Sequence, residues 1–275
     1  MKRLVPFDDD KYLLDIINSK SNEIKNSLQP AIQSVLELYG YYRCNLNALD
    51  QITQAFLIDT EVLQKIKLCY KQSTVKVEEL KQQIKSLQIN YTYCPYCGIN
   101  TGDTFDHYLP ISKFPEFSIF PLNLIPCCAE CNRKKGDRHV SHPRKIINPY
   151  FDCFLETSFL KVRLDFSGSG VLAPTVVFDV DNSLLTEDET KIAKSHIKIL
   201  NLSERYLEKA SGKISETVLS YKRIALDSTR NMQELKLILK ANADALAEYR
   251  GINNWEAVLS NELSISDKFW ELCIY

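Results

Sequence analysis

The chain has 275 residues, a formal net charge of −1, 45% hydrophobic residues and nine cysteines. That length can bury a proper core and hold more than one domain, while near-neutral charge excludes bulk attraction to polyanions, so any nucleic-acid contact must be local. No stretch approaches a membrane span, MKRLVPFDDDKY lacks a long apolar run, and the cysteines have no disulfide rhythm, so a soluble cytoplasmic protein without a membrane partner is expected.

Residues 1 to about 90 carry helical stripes. Tyr12, Leu13, Ile16 and Ile17 form the first; Ile32, Val35, Leu36 and Tyr39 the second; Leu49, Ile52, Ala55 and Phe56 the third; Val77, Leu80, Ile84 and Leu87 the last. Pro30 suits a first helical turn, and Asn47, Thr60 and Thr74 are placed as caps. An all-helical region of 1–90 is therefore predicted.

Residues 91–150 form a second region, built on CPYCG, DHYLP and PLNLIPCCAECNRKKGD. Cys94 with Cys97, and Cys128 with Cys131, have the spacing of two tight turns that each place two sulfurs on neighbouring corners of a tetrahedron. Gly98 supplies the positive φ such a knuckle often needs. Four thiolates leave no open position, so zinc held there is structural and any catalysis sits beside it; iron also suits four thiolates. Thr104, Phe105 and Tyr108 favour a strand around Asp106 and His107. Neighbours on an ideal strand face opposite ways, so for Asp106 and His107 to share one phosphate the strand must be twisted or bulged. Asn123 lies in a second short strand, and a helix entered at Cys128 puts Cys131, Asn132 and Lys135 on roughly one face.

The third region, 151–275, opens with alternation over 159–166, a SerGlySerGly turn and a second strand at 175–180, a hairpin signature. Thr186 with Glu189 makes a capping box, and long helices follow over about 203–227 and 230–250, the latter ending at Gly251. The aromatic finish from 269 reads as packed core.

In this order, Cys-x-x-C, Asp-His-x-x-Pro, Asn-Leu-x-Pro and Cys-x-x-Cys-Asn-x-x-Lys-Gly-Asp resemble the HNH endonucleases, a ββα-metal (His-Me finger) family, over Cys94 to Asp137. The resemblance implies a mostly α protein with a small central zinc-bound ββα-metal module and a short β-hairpin after it. It implies that His107 is the general base, that Asp106 and Asn132 ligate a catalytic Mg²⁺ or another divalent ion, and that Asn123 orients the histidine and pins the loop. The last position is often histidine in the family and is asparagine here. The chemistry is coherent: a histidine near neutral pKa can take a proton from water, and a hard cation on oxygen ligands can stabilise the phosphorane.

DNA is the substrate this family implies, RNA being the other polymer with the same bond. Between Cys127 and Ile146, Arg133, Lys134, Lys135, Arg138, Arg144 and Lys145 stand against Glu130 and Asp137, a local basic patch suited to phosphate contact. His139, His142 and His196 read as surface or packed residues before auxiliary metal ligands. The layout of AsnProTyrPheAsp at 148–152, the hairpin and IleLeuAsnLeuSer at 199–203 is also similar to the HNH partner of Septu-type and some retron antiphage systems, which works beside an ATPase. That similarity implies helical flanks that dock an ATPase. A stand-alone nuclease is equally compatible, and a reading from another class is a non-catalytic zinc ribbon that binds nucleic acid or protein.

Overall fold

The computed structural model describes residues 1–53, 58–88, 92–137, 143–167, 174–227 and 231–274. The chain divides into two compact units, one of residues 3–96 and 100–152, the other of 1–2, 97–99 and 153–275. Among the described residues no helix is long and apolar enough to cross a membrane.

The first unit runs α1 (Lys11–Asn18), α2 (Asn22–Leu28), α3 (Ile32–Cys44), α4 (Thr60–Lys71), α5 (Val75–Ser86), β1 (Thr104–His107), β2 (Leu124–Cys127) and α6 (Ala129–Lys135). The predicted stripe of α1 is buried in full, as are Val77, Leu80 and Ile84 of α5. Leu87, expected to turn inward with them, is exposed just past the helix end. Pro30 sits in a 3-10 turn, Gln29–Ala31, that leads into α3.

The third predicted helix is not formed as expected. Leu49–Gln51 is a single 3-10 turn and Ile52 is extended, while Ala55 and Phe56 lie outside the described residues. Thr60 is not the cap of α4: the Asp59 carboxylate accepts from the Glu61 amide, and Thr60 begins the helix. A carboxylate at that position also suits the partial positive charge of a helix start. Thr74 occupies the cap position of α5, but its hydroxyl pairs with that of Ser19 at 2.9 Å instead of capping.

On α3, Tyr39 stacks on Phe120 at 4.0 Å and Tyr42 meets Phe117 and Phe120 edge-on, both at 5.1 Å. This aromatic cluster holds the segment between the two strands. Within it, Pro115–Phe117 and Pro121–Asn123 form 3-10 turns, so Asn123 ends a turn just before β2 and is not inside the strand.

The second unit comprises β3 (Leu160–Asp165), β4 (Thr175–Val180), α7 (Glu187–Ile199), α8 (Leu202–Asp227), α9 (Met232–Arg250), α10 (Trp255–Ile265) and α11 (Asp267–Ile274). β3 and β4 pair antiparallel, Leu160 opposite Val180; the alternation expected over 159–166 appears on β3, where Leu160 and Val162 are buried and Lys161 is exposed, and β4 alternates as well. The SerGlySerGly turn begins at Ser167, the last described residue before a stretch outside the description. The Thr186–Glu189 capping box starts α7, and α9 ends at Gly251 with φ +95°. Phe269 and Trp270 are fully buried, as core residues should be.

Asn253, with no exposed surface, organises the entry to β3. Its Oδ1 accepts from the Phe159 and Leu160 amides at 2.9 and 3.0 Å, and its Nδ2 donates to Leu155 O and Thr157 O at 3.0 and 2.8 Å. Each buried group left unmet costs about 1–3 kcal/mol. Asn253→Ala is therefore expected to destabilise this unit by about 3 kcal/mol, read as a lowered urea midpoint; an unchanged midpoint would show that water replaces the amide.

Candidate active site and four-cysteine cluster

β1 pairs with β2 in an uninterrupted antiparallel register, Thr104 opposite Cys127, Asp106 opposite Ile125 and His107 opposite Leu124. The bulge or twist expected to bring Asp106 and His107 onto one side is absent across these four residues. The ordinary pleat rules instead. Thr104 and Asp106 face α6, where they meet Asn132 and Lys135, while Phe105 and His107 face α4 and α5.

His107 is held from two sides. Its Nε2 lies 2.9 Å from Ser118 O, and the Tyr70 ring of α4 packs edge-on at 4.4 Å between centres. A carbonyl only accepts, so Nε2 carries the hydrogen and Nδ1 keeps the lone pair. Burial lowers the imidazole pKa to about 4, against the raising effects of Ser118 and Asp106 and with small lowering effects from Lys135 and Lys81. The ring is therefore neutral at neutral pH, in the tautomer that offers Nδ1 as a base.

Asn123, fully buried, closes the segment that carries Ser118. Its Oδ1 accepts from Leu109 N at 2.7 Å, and its Nδ2 donates to Leu109 O at 3.0 Å and Phe117 O at 3.2 Å. The carbonyl at 117 and the one at 118 are thus fixed by the same turn. Tyr42 of α3 donates weakly to Asn123 Oδ1 at 3.4 Å.

On the opposite face, Asp106 Oδ1 meets Lys135 Nζ at 2.8 Å and Oδ2 accepts from Tyr96 OH at 2.8 Å. Lys135 also donates to His107 O at 2.8 Å, and it has no exposed surface. Burial, then the adjacent Asp106 charge, raises the Tyr96 phenol well above its usual pKa, so it stays a donor. Asn132 donates its Nδ2 to Phe105 O at 3.1 Å and Thr104 Oγ1 at 3.4 Å, and its Oδ1 takes no partner among the described residues.

The sulfurs of Cys94, Cys97, Cys128 and Cys131 all lie within 4.8 Å of one another and are buried. An ion with four sulfurs at about 2.3 Å needs them about 3.8 Å apart, so this set can hold one tetrahedral ion. The first pair sits on a knuckle closed by Cys94 N to Asn100 O at 2.7 Å and Gly102 N to Thr92 O at 2.8 Å. Gly98 has φ +65°, as expected, and the Ile99 amide points at Cys97 Sγ at 3.4 Å. Cys128 is the N-cap of α6 and Cys131 lies on its first turn. Cys127 stays outside the cluster, its thiol beside Thr104 Oγ1 at 3.7 Å and raised in pKa by burial.

The expected basic patch is redistributed. Arg133 is exposed and Lys134 half-buried, but Lys135 is enclosed against Asp106 and does not belong with residues open to a phosphate backbone. Arg144 pairs with Asp152 at 2.7 Å, Lys145 is half-buried, and Arg138, His139 and His142 lie outside the described residues. His196 is buried in α7. Tyr70, Tyr96 and Ser118 were missed by sequence reasoning, which had no local spacing to find them by.

Removing one partner of a buried pair strands the other charge at a cost of about 3–5 kcal/mol. Lys135→Met is expected to lower stability by that amount, and adding Asp106→Asn should recover part of the loss. Urea unfolding of the single and double variants checks this; a silent single variant would mean Asp106 finds another partner.

The comparisons with known proteins agree with this geometry. Residues 94–138 match the family model for HNH endonuclease. The chain is 30% identical over 187 residues to Protein ea31 of Escherichia phage lambda, a match covering 64% of this chain and 63% of that protein. It is 34% identical over 71 residues to Septu protein PtuB of Bacillus thuringiensis, covering 24% of this chain and 27% of that protein. Each match thus spans less than two thirds of the relative's length. No solved structure matches. With its two-strand hairpin, following helix and four-cysteine cluster, the segment at 94–138 is an HNH endonuclease domain in a mostly helical chain.

Proposed function

We propose that this protein is a metal-dependent endonuclease hydrolysing phosphodiester bonds of DNA, with His107 as general base. The observation that carries this reading is the histidine's fixed tautomer: Nε2–H is spent on Ser118 O, so a neutral ring presents Nδ1 to a water molecule. Burial, the largest influence on the ring, leaves it a weak base with a pKa of about 4. An arriving phosphodiester anion favours the imidazolium and strengthens the base at the moment it is needed. Asn123 serves as a positioning residue, since it fixes the turn that carries the accepting carbonyl.

Asp106 and Asn132 would hold the divalent ion, Mg²⁺ or another, on the α6 side of β1; with the pleat uninterrupted this is the side away from His107, so one phosphate reaches both only if β1 twists on binding. Asn132 stands on α6 and Asp106 faces that helix; Asn132 Oδ1 is open among the described residues, and each Asp106 oxygen has one protein partner and a further lone pair. When bound, such an ion supplies charge stabilisation for the phosphorane and the leaving oxygen. Lys135 neutralises Asp106 from the protein side and keeps its carboxylate oriented. The four-thiolate cluster is read as a structural zinc site, because its sulfurs fill a tetrahedron and leave no open position.

Similarity to Septu protein PtuB supports a role in antiphage defence beside a partner ATPase, in the cytoplasm. The second reading, a non-catalytic zinc ribbon, predicts no chemistry at His107. Supercoiled plasmid with Mg²⁺, Mn²⁺ or Ni²⁺ should be nicked by the wild type and at least 100-fold less by His107→Ala at unchanged zinc content. Equal nicking by both sinks the mechanism. Cys131→Ala should lose zinc and the folded segment together, because metal binding there is folding free energy; a variant that keeps its circular dichroism and melting behaviour would refute the zinc assignment.

A further inference from the structure

We propose that α5, which lies outside the residues matching the HNH family, forms a phosphate-binding wall of the active site, with Lys81 and Lys85 contacting the DNA backbone beside His107. This inference rests on the nuclease reading and names the element that holds its substrate.

The two lysines are four residues apart, so they share one face of α5 with a rise of about 6 Å between them. The adjoining face is anchored by Val77, Leu80 and Ile84, all fully buried, so the lysines stand at the edge of the buried stripe. Lys81 Nζ stands 5.0 Å from the centre of the Tyr70 ring, and the same ring packs edge-on against His107. One aromatic ring therefore separates the ammonium from the imidazole. Lys85 Nζ lies 5.3 Å from the centre of the Phe105 ring, two residues before His107 and on the same face of β1. The pleat that turns His107 away from α6 thus turns it toward these two charges.

Lys135, which reaches the carbonyl of His107, is spent on Asp106 and buried. Lys81 is partly exposed, and its ion pair with Glu78 at 2.9 Å is shared with Ser73, which donates to the same oxygen at 2.5 Å. A phosphate can replace such a partner without stranding it. Beyond Lys85 opens a cleft of about 520 Å³ lined by Lys85, Gln88, Thr92, Tyr93, Thr101 and Pro126. Its volume accommodates a nucleotide, and Tyr93 is among the residues that line it. Lysines that contact phosphates position the strand without reading sequence, so binding here is sequence-tolerant.

The test is fluorescence anisotropy of a labelled duplex oligonucleotide with the full chain, without added divalent ions, across a range of salt. Lys81→Gln/Lys85→Gln is expected to bind about tenfold more weakly at low salt. The slope of log affinity against log salt should become shallower by about 1.8, since each lost phosphate contact removes about 0.9. Lys81→Arg/Lys85→Arg should keep both values, as should Lys191→Gln on α7. If the wild type nicks plasmid and the double glutamine variant binds with unchanged affinity and slope, the α5 wall is wrong and the nuclease reading stands. A wild type that neither binds nor nicks overturns both. Should the double variant melt early, Lys85→Gln alone decides the matter, with a slope change of about 0.9 expected and an unchanged slope counting against the proposal.

Discussion

The pleat of β1 sets the chemistry of everything around it. Because the register with β2 runs without interruption, Asp106 and His107 are sent to opposite faces, one to α6 and the other to α4 and α5. Each face then solves its own problem. Toward α6 a buried carboxylate must be accommodated, and Lys135 and Tyr96 supply a cation and a hydroxyl. Toward α4 an imidazole must be enclosed, and Ser118 O takes the Nε2 hydrogen and leaves Nδ1 its lone pair. Those solutions meet at one residue, since Lys135 also binds the carbonyl of His107.

The aromatic cluster and Asn123 make that arrangement stiff. Tyr39 and Tyr42 press on Phe117 and Phe120, and Asn123 ties the same turn to Leu109, so the carbonyl beside His107 has little freedom. Rigid supports of this kind matter because proton transfer depends on placement within fractions of an ångström. The helical region before the HNH segment is therefore not a separate accessory: residues 3–96 and 100–152 form one compact unit.

Much of this was legible in the sequence where the determinants are local. Two Cys-x-x-C spacings suffice to place four sulfurs, and the stripes of α1 and α5 and the alternation of β3 announce their own geometry. What was not legible depends on neighbours distant in the chain. Lys135 looks like Arg133 and Lys134 until α6 is laid on β1, when its position in the turn buries it. Tyr70 reads as one more apolar position of α4, and only the fold sets it against His107. The predicted helix from Leu49 had the right stripe, yet a single 3-10 turn formed there; periodicity records which face is apolar and does not by itself supply the tertiary packing that sustains a helix.

The packing of the cysteine cluster bears on how the protein ages. Four sulfurs gathered within 4.8 Å are close enough for thiol pairs to couple once the negative charge they share is no longer balanced. An ion held in their midst would keep them apart and blunt them as nucleophiles. Its removal by a chelator in the presence of oxidant would let Cys94 close on Cys97, or Cys128 on Cys131, and the S–S bonds so formed could not accept the ion again. Metal loss at this site would then be irreversible in air and reversible only while the thiols are kept reduced.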